Sequence, residues 1–290
     1  MLNLAYWGSG PISNFHVPAL REAGFKLVTA FSRSNSTRLD EFCFKNQIKK
    51  SKDEVSFLES IKSDCDCIMI SLETSVTFEN LMKVVSYGKP ILCEKPGSLL
   101  SSKLEAIPET NNLFFAYNRR FYNSVEKAKI FIENNETTNS TFFMPDSIST
   151  WHQFLINGCH IIDLMLYLYN FKLEHVGSIG SLDSKKSGFQ SMFKSERNDT
   201  ISFIENWGAP QNASIDISTI GKRIELRPIE KAYIYKSMKK VEPTEDYPLR
   251  QYIPEVDSCI QTNVKDFKPG FLEQSKCFYD FVQNGKPDSR

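Results

Sequence analysis

Leu2-Asn3-Leu4-Ala5-Tyr6-Trp7-Gly8-Ser9-Gly10-Pro11-Ile12-Ser13 is the stretch whose reading decides the fold. Leu2 to Trp7 alternates as a strand does. Asn14 to Ala23 carries apolar residues at helical spacing, with Gly24 as its stop. Strand, glycine turn and helix in that order open a βαβ unit, and the rhythm continues downstream. Phe25 to Phe31 is a second strand. Ser36 caps a helix through Leu39, Phe42 and Phe44, and Ser51 with Glu54 forms a capping-box pattern ahead of Val55, Leu58 and Ile61. Cys67 to Ile70 reads as a buried strand, Phe78 to Tyr87 as a helix ending at Gly88, and Pro90 to Cys93 as the next strand. Ser102 and Glu105 give another capping box, and Leu113 to Tyr117 closes the series. Such alternation predicts an α/β fold, a doubly wound parallel sheet with helices on both faces.

The rhythm ends near Tyr117. A helix (Val125 to Glu133), a strand (Thr141 to Met144) and a strongly apolar helix (Asn157 to Tyr169) follow. Then come β-like runs at Thr200 to Ile204, Ala213 to Ile217, Arg223 to Leu226 and Ala232 to Tyr235, alternating as antiparallel strands with one covered face do. The expected domains are residues 1–118 and 119–290. A chain of 290 residues is long enough for two cores. Lys+Arg and Asp+Glu both number 35, so no net field recruits nucleic acid or an anionic membrane. No apolar run reaches the roughly 18 residues of a membrane span, and the N-terminus lacks a signal-peptide pattern. Cys65 and Cys67 point to one face of a strand; without a second Cys/His pair at zinc-like spacing they read as buried thiols, and no metal site is expected. Seven cysteines used this way suit the cytoplasm.

Gly8-Ser9-Gly10-Pro11-Ile12-Ser13 fits the dinucleotide fingerprint G-x-G-x-x-G except at Ser13. The first glycine permits a tight turn, the second lets backbone approach a diphosphate, and a small third residue keeps helix and strand close. The following helix start offers free N–H groups and positive dipole to phosphates. At the end of the second strand, where an NAD-preferring site carries a carboxylate, this chain has Ser32-Arg33-Ser34. Serine leaves room for a 2′-phosphate and a guanidinium can pair with it, which favours NADP(H). NAD(H), with Arg33 facing solvent, stays open. The expected cofactor contacts are Gly8, Gly10, Pro11, Ile12, Ser32, Arg33 and Glu94.

Glu94-Lys95-Pro96 follows the buried run Ile91-Leu92-Cys93, so Lys95 sits where open α/β sheets place their ligands. Oxidising a carbinol needs hydride departure and removal of the hydroxyl proton, and a lysine can take that proton. Asn157, His160 and Asp163 recur at i, i+3 and i+6 on an otherwise apolar helix, a polar stripe that requires partners.

Taken together, Gly8-Ser9-Gly10, Cys93-Glu94-Lys95-Pro96, Tyr117-Asn118-Arg119-Arg120-Phe121, Gly158 to Asp163 and Lys268 to Gln274 resemble the Gfo/Idh/MocA oxidoreductases, from Leu2 to about Pro287. The resemblance implies an N-terminal Rossmann domain and a C-terminal α+β domain with an open, mostly antiparallel sheet that mediates homodimers or homotetramers. It implies NAD(P) chemistry on sugars and cyclitols. Carried over, Lys95 is the catalytic lysine, His160 an acid/base or hydroxyl ligand, and Asp163 a polar partner on the same helix. Gly97-Ser98-Leu99 and Asn118 to Tyr122 look most like members from surface-polysaccharide clusters, which points to a free or nucleotide-linked sugar.

Four features depart from the family pattern. Ile156 stands where many members carry an aspartate before the histidine; Leu72-Glu73…Thr77 replaces Thr-Pro…His; Trp151-His152-Gln153-Phe154 replaces a glycine-rich run; and the sequence stops at Arg290, short of a usual last helix. The leading expectation is an NAD(P)-dependent sugar oxidoreductase in which Lys95 moves the hydroxyl proton while His160, Asn157 and Arg119 hold the sugar. The alternative is a dinucleotide-binding sensor or subunit partner with impaired catalysis. A methyltransferase sharing the glycine loop is a third reading, in which the lysine–proline motif has no role.

Overall fold

The computed structural model describes residues 1–32, 37–146, 152, 154–180, 188–208 and 210–286. The chain forms two compact units, Met1–Phe121 with Val264–Arg290, and Tyr122–Asn263.

The first unit holds β1 (Leu2–Trp7), α1 (Ser13–Glu22), β2 (Phe25–Phe31), α2 (Thr37–Asn46), β3 (Lys49–Lys50), α3 (Glu54–Asp64), β4 (Cys67–Ile70), α4 (Thr74–Val84), β5 (Ile91–Cys93), α5 (Ser101–Glu105) and β6 (Leu113–Phe115). Its six strands are parallel in the order β3-β2-β1-β4-β5-β6. The order reverses between β1 and β4, so the crevice at their carboxyl ends is the ligand position of this fold. Alternate residues of each strand feed two cores: Leu4, Tyr6 and Met69 on one face, Ala5, Trp7 and Ile70 on the other.

Two expected capping boxes are not formed. Asp53 caps α3, its carboxylate accepting from Ser56 N–H at 2.8 Å, whereas the Ser51 hydroxyl is buried against Thr29 Oγ1 at 2.6 Å. The α5 helix has no side-chain cap. The cap expected at Ser36 lies outside the described residues.

The second unit holds α6 (Asn123–Glu133), β7 (Thr137–Asp146), a π-helical turn (Phe154–Gly158), α7 (Cys159–Leu168), β8 (Leu173–Gly180), β9 (Gly188–Ser195), β10 (Thr200–Trp207), β11 (Ser214–Thr219), β12 (Arg223–Leu226), β13 (Lys231–Val241) and β14 (Gln251–Gln261). The sheet order is β14-β13-β12-β11-β7-β10-β9-β8, antiparallel except for the β7/β10 pair. Val125 and Ala128 of α6 and Ile161 and Leu164 of α7 pack on a single face made by Phe142, Phe203, Ile217 and Leu226.

The chain then rejoins the first unit through α8 (Phe271–Asn284). This corrects the expectation that residues 119–290 form one domain. The reason is aromatic packing: Phe278 meets Phe25 at 5.7 Å, and Phe281 meets Phe114 at 4.5 Å. The first unit also runs on to Phe121 rather than ending at residue 118.

Candidate active site

The glycine loop is built as its spacing predicts. Gly8 has φ 136°, and a Cβ there would overlap the Ser71 carbonyl oxygen, so β1 and β4 approach as closely as they do only because the residue is glycine. Gly10 differs: a Cβ there would meet nothing within 4 Å. That side of Gly10 opens onto a groove of about 1210 Å³, beyond the roughly 300–1,000 Å³ of a drug-sized pocket and suited to an extended ligand. Trp7, Gly10, Pro11, Ile12 and Ser32 line it, with Ser71, Leu72 and Glu73 from the end of β4. The start of α1 has no side-chain cap; its Ser13, Asn14 and Phe15 N–H groups donate to the Gly10, Pro11 and Ile12 carbonyls at 3.0, 3.2 and 3.0 Å, which tightens the loop onto the helix. Ser13, at the third-glycine position, is buried beneath the loop. The residues present therefore fit a dinucleotide.

At the far end of β2, Arg33 lies outside the described residues. The groove there is lined by Ser32, Thr37 and Arg38, and no carboxylate follows β2 directly. Arg38 was missed by sequence reasoning. Its signal was its place in the first turn of the helix that follows β2.

Glu94 and Lys95 leave the end of β5, beside β4. The Glu94 N–H donates to the Ile70 carbonyl at 2.8 Å. The Glu94 carboxylate meets His16 Nε2 of α1 at 2.5 Å, and its other oxygen accepts from the Lys95 N–H at 3.2 Å. Burial alone would raise this carboxyl, but the hydrogen bond and charge of His16, with Lys95, outweigh it and hold the group below its ordinary value. Glu94 ties the helix that follows the glycine loop to the backbone of Lys95. Gly97 has φ 77°, and a Cβ on it would overlap the Phe115 ring, so the chain turns sharply just after Lys95.

Arg119 follows β6 in a short 3-10 turn (Asn118–Phe121). The buried Asn118 fixes that turn by donating Nδ2 to the Pro269 carbonyl at 2.9 Å.

In the second unit, the spacing placed Asn157, His160 and Asp163 on one helix face. Asn157 lies in the π-helical turn, whereas His160 and Asp163 belong to α7, so the α-helical register is broken between them. A Cβ on Gly158 would overlap the Phe154 ring, which is the local reason for a glycine at this break. Asp163 is buried, and His160 and Asn157 are half-buried. The predicted residues thus fall into two sets, one around the glycine groove and β5 of the first unit, the other on α7 of the second.

Residues 2–114 match the profile of the Gfo/Idh/MocA oxidoreductase family, NAD-binding Rossmann fold. This stretch has an NAD-binding Rossmann fold. Solved structures extend the likeness to the fold of the whole chain. A dehydrogenase from Clostridium difficile is 19% identical with a TM-score of 0.79, covering 99% of this chain and 92% of that one. Levoglucosan dehydrogenase, solved with NADH and L-sorbose, is 15% identical with a TM-score of 0.77, covering 99% and 91%. An oxidoreductase from Agrobacterium radiobacter, solved with NAD+, L-tartaric acid and magnesium, is 13% identical with a TM-score of 0.77, covering 99% and 90%. A search of curated proteins finds no match. The match over residues 2–114 and the strand order agree on an NAD-binding Rossmann fold for the first unit's sheet. Among the described residues no helix is long and apolar enough to cross a membrane, and no group of three His, Cys, Asp or Glu is placed to hold a metal ion.

Proposed function

We propose that the protein is an NAD(P)-dependent oxidoreductase acting on a carbinol or carbonyl of a sugar or nucleotide sugar. The observation that carries this reading is a dinucleotide groove whose neighbouring strand ends in Glu94-Lys95. The Gly8 to Ile12 loop would hold the diphosphate, with Trp7 and Leu72 as apolar walls. When bound, the nicotinamide supplies or accepts the hydride. Lys95 takes the proton from the substrate hydroxyl in oxidation and returns it in reduction. Glu94 and His16 hold the Lys95 backbone for that task. On the second unit, His160 and Asn157 are read as hydroxyl ligands, with Asp163 a buried partner on the same helix.

NADP(H) is the favoured dinucleotide and NAD(H) the competitor. The absence of a carboxylate directly after β2, and Arg38 on the groove, support the former. Self-association through the C-terminal sheet is proposed on the exposed apolar residues Met238, Tyr252, Ile253 and Val256 of β13 and β14. All seven cysteines are free thiols, which supports a reducing compartment such as the cytoplasm.

A second reading keeps dinucleotide binding without turnover, as a sensor or subunit partner. Ile156 favours it, because an apolar side chain there cannot share a proton with His160. The test is direct. Affinities for NADPH and NADH come from Trp7 fluorescence, and a panel of sugars and nucleotide sugars is then screened at the reduced-nicotinamide absorbance band. Turnover with any member supports the enzyme; tight NADPH binding with none supports the sensor.

A further inference from the structure

Lys268 precedes α8 in the first unit and has no ion-pair partner among the described residues. Its Nζ lies 4.7 Å from the ring centre of Phe15 and 5.2 Å from that of Phe271. Phe15 lines the dinucleotide groove, and the Phe271 ring lies 4.6 Å from His16, the residue that binds Glu94. Arg119 neighbours Lys268 through the turn that carries it, and its charge acts on the Lys268 amine. The Asn118–Pro269 hydrogen bond holds its turn against the residue that follows Lys268. Arg119 Nη1 is buried and has no hydrogen-bond partner among the described residues. Burial lowers the Lys268 amine, Glu94 opposes this, and the charges of Lys95 and Arg119 lower it further.

The Glu94 carboxylate that acts on Lys268 is already hydrogen-bonded to His16. A buried guanidinium nitrogen left without an acceptor is costly unless a ligand supplies one. Neither Arg119 nor Lys268 nor Lys95 is among the residues lining the groove at the glycine loop.

We propose that Arg119 and Lys268, beside Lys95, form a receptor for an oxyanion carried by the substrate, a carboxylate or a phosphate close to the carbon that reacts. This deepens the oxidoreductase reading and rests on it: the preferred substrate is an acidic or phosphorylated sugar rather than a neutral one. Arg119 supplies the flat, two-pronged donor that matches an oxyanion, and Lys268 supplies a point charge held in place by two rings.

The test uses the full chain with saturating NADPH or NADH and measures by calorimetry the affinities for glucuronate, glucose 6-phosphate and glucose. The charged ligands are expected to bind at least tenfold tighter than glucose. That preference is expected to fall at least tenfold in Lys268→Met and in Arg119→Gln, and to stay within threefold in Lys268→Arg. Glucuronate ahead of glucose 6-phosphate identifies the anion as a carboxylate, and the reverse order as a phosphate. Equal affinity for charged and neutral ligands, or no charged ligand bound, overturns the proposal. So does a preference unmoved in both charge-removing variants. If those variants weaken the dinucleotide itself tenfold, the cations serve the cofactor's phosphates and the proposal fails. A protein that binds no dinucleotide yet keeps a Lys268-dependent preference overturns the redox reading and leaves the receptor standing.

Discussion

Gly8 and Gly10 are two residues apart and fail differently when changed. Gly8 has a positive φ and no room for a Cβ, so Gly8→Ala is expected to destabilise the protein by about 1–3 kcal/mol, read from denaturant unfolding. Gly10 has open space where a Cβ would go, so Gly10→Ala is expected to keep stability within about 0.5 kcal/mol. It should instead weaken dinucleotide binding at least tenfold, because the methyl enters the groove. The pair His16–Glu94 makes a separate prediction. His16→Leu leaves a nearly buried carboxylate without its partner and is expected to cost about 3 kcal/mol. The Glu94 carboxyl is held below its ordinary value of 4.5. Its contribution is therefore present above the unfolded value and lost as pH falls through the folded one. The difference in Tm between wild type and Glu94→Gln is expected to shrink on acidification from pH 7 to below about pH 4.5; a difference constant with pH would contradict it. The glycines were legible because turn chemistry is local. The His16–Glu94 contact was not, because 78 residues separate its ends. Lys268 was visible only as part of a helix-start motif.

At the scale of elements, the parallel strands were readable as short buried runs between helix patterns. The edge strands of the second sheet were not. β8 is exposed at most positions, and β14 is exposed along nearly its whole length with Pro254 inside it, so neither carries the alternation of a half-buried strand. The helix caps were misread for a related reason. Ser51 fits the capping-box pattern, but a buried hydrogen bond to Thr29 claims its hydroxyl and Asp53 is left to cap α3. The return of α8 to the first unit gives this scale its prediction. Phe278 is buried among residues of the first sheet, so Phe278→Ala is expected to destabilise the protein by about 3–5 kcal/mol. Saturating NADPH should raise the stability of wild type and Phe278→Ala alike, since the ligand binds only the folded unit. A Phe278→Ala protein as stable as wild type in denaturant unfolding would contradict the packing of α8 on the first sheet.

For the whole molecule, the two-unit plan was legible from the change of rhythm near Tyr117, and the strand order 3-2-1-4-5-6 locates the ligand crevice without further information. The assignment of residues 264–290 was not legible, because it depends on which aromatic surfaces meet rather than on chain order. The central claim joins a dinucleotide groove to an amine at the end of β5. The most direct measurement compares wild type with Lys95→Ala in the same two assays, dinucleotide affinity by Trp7 fluorescence and turnover of the best sugar at the reduced-nicotinamide band. Affinity is expected within threefold of wild type and turnover lower by about 10²–10⁴-fold. Turnover at the wild-type rate in Lys95→Ala, or a wild-type protein that binds neither NADPH nor NADH, would contradict it.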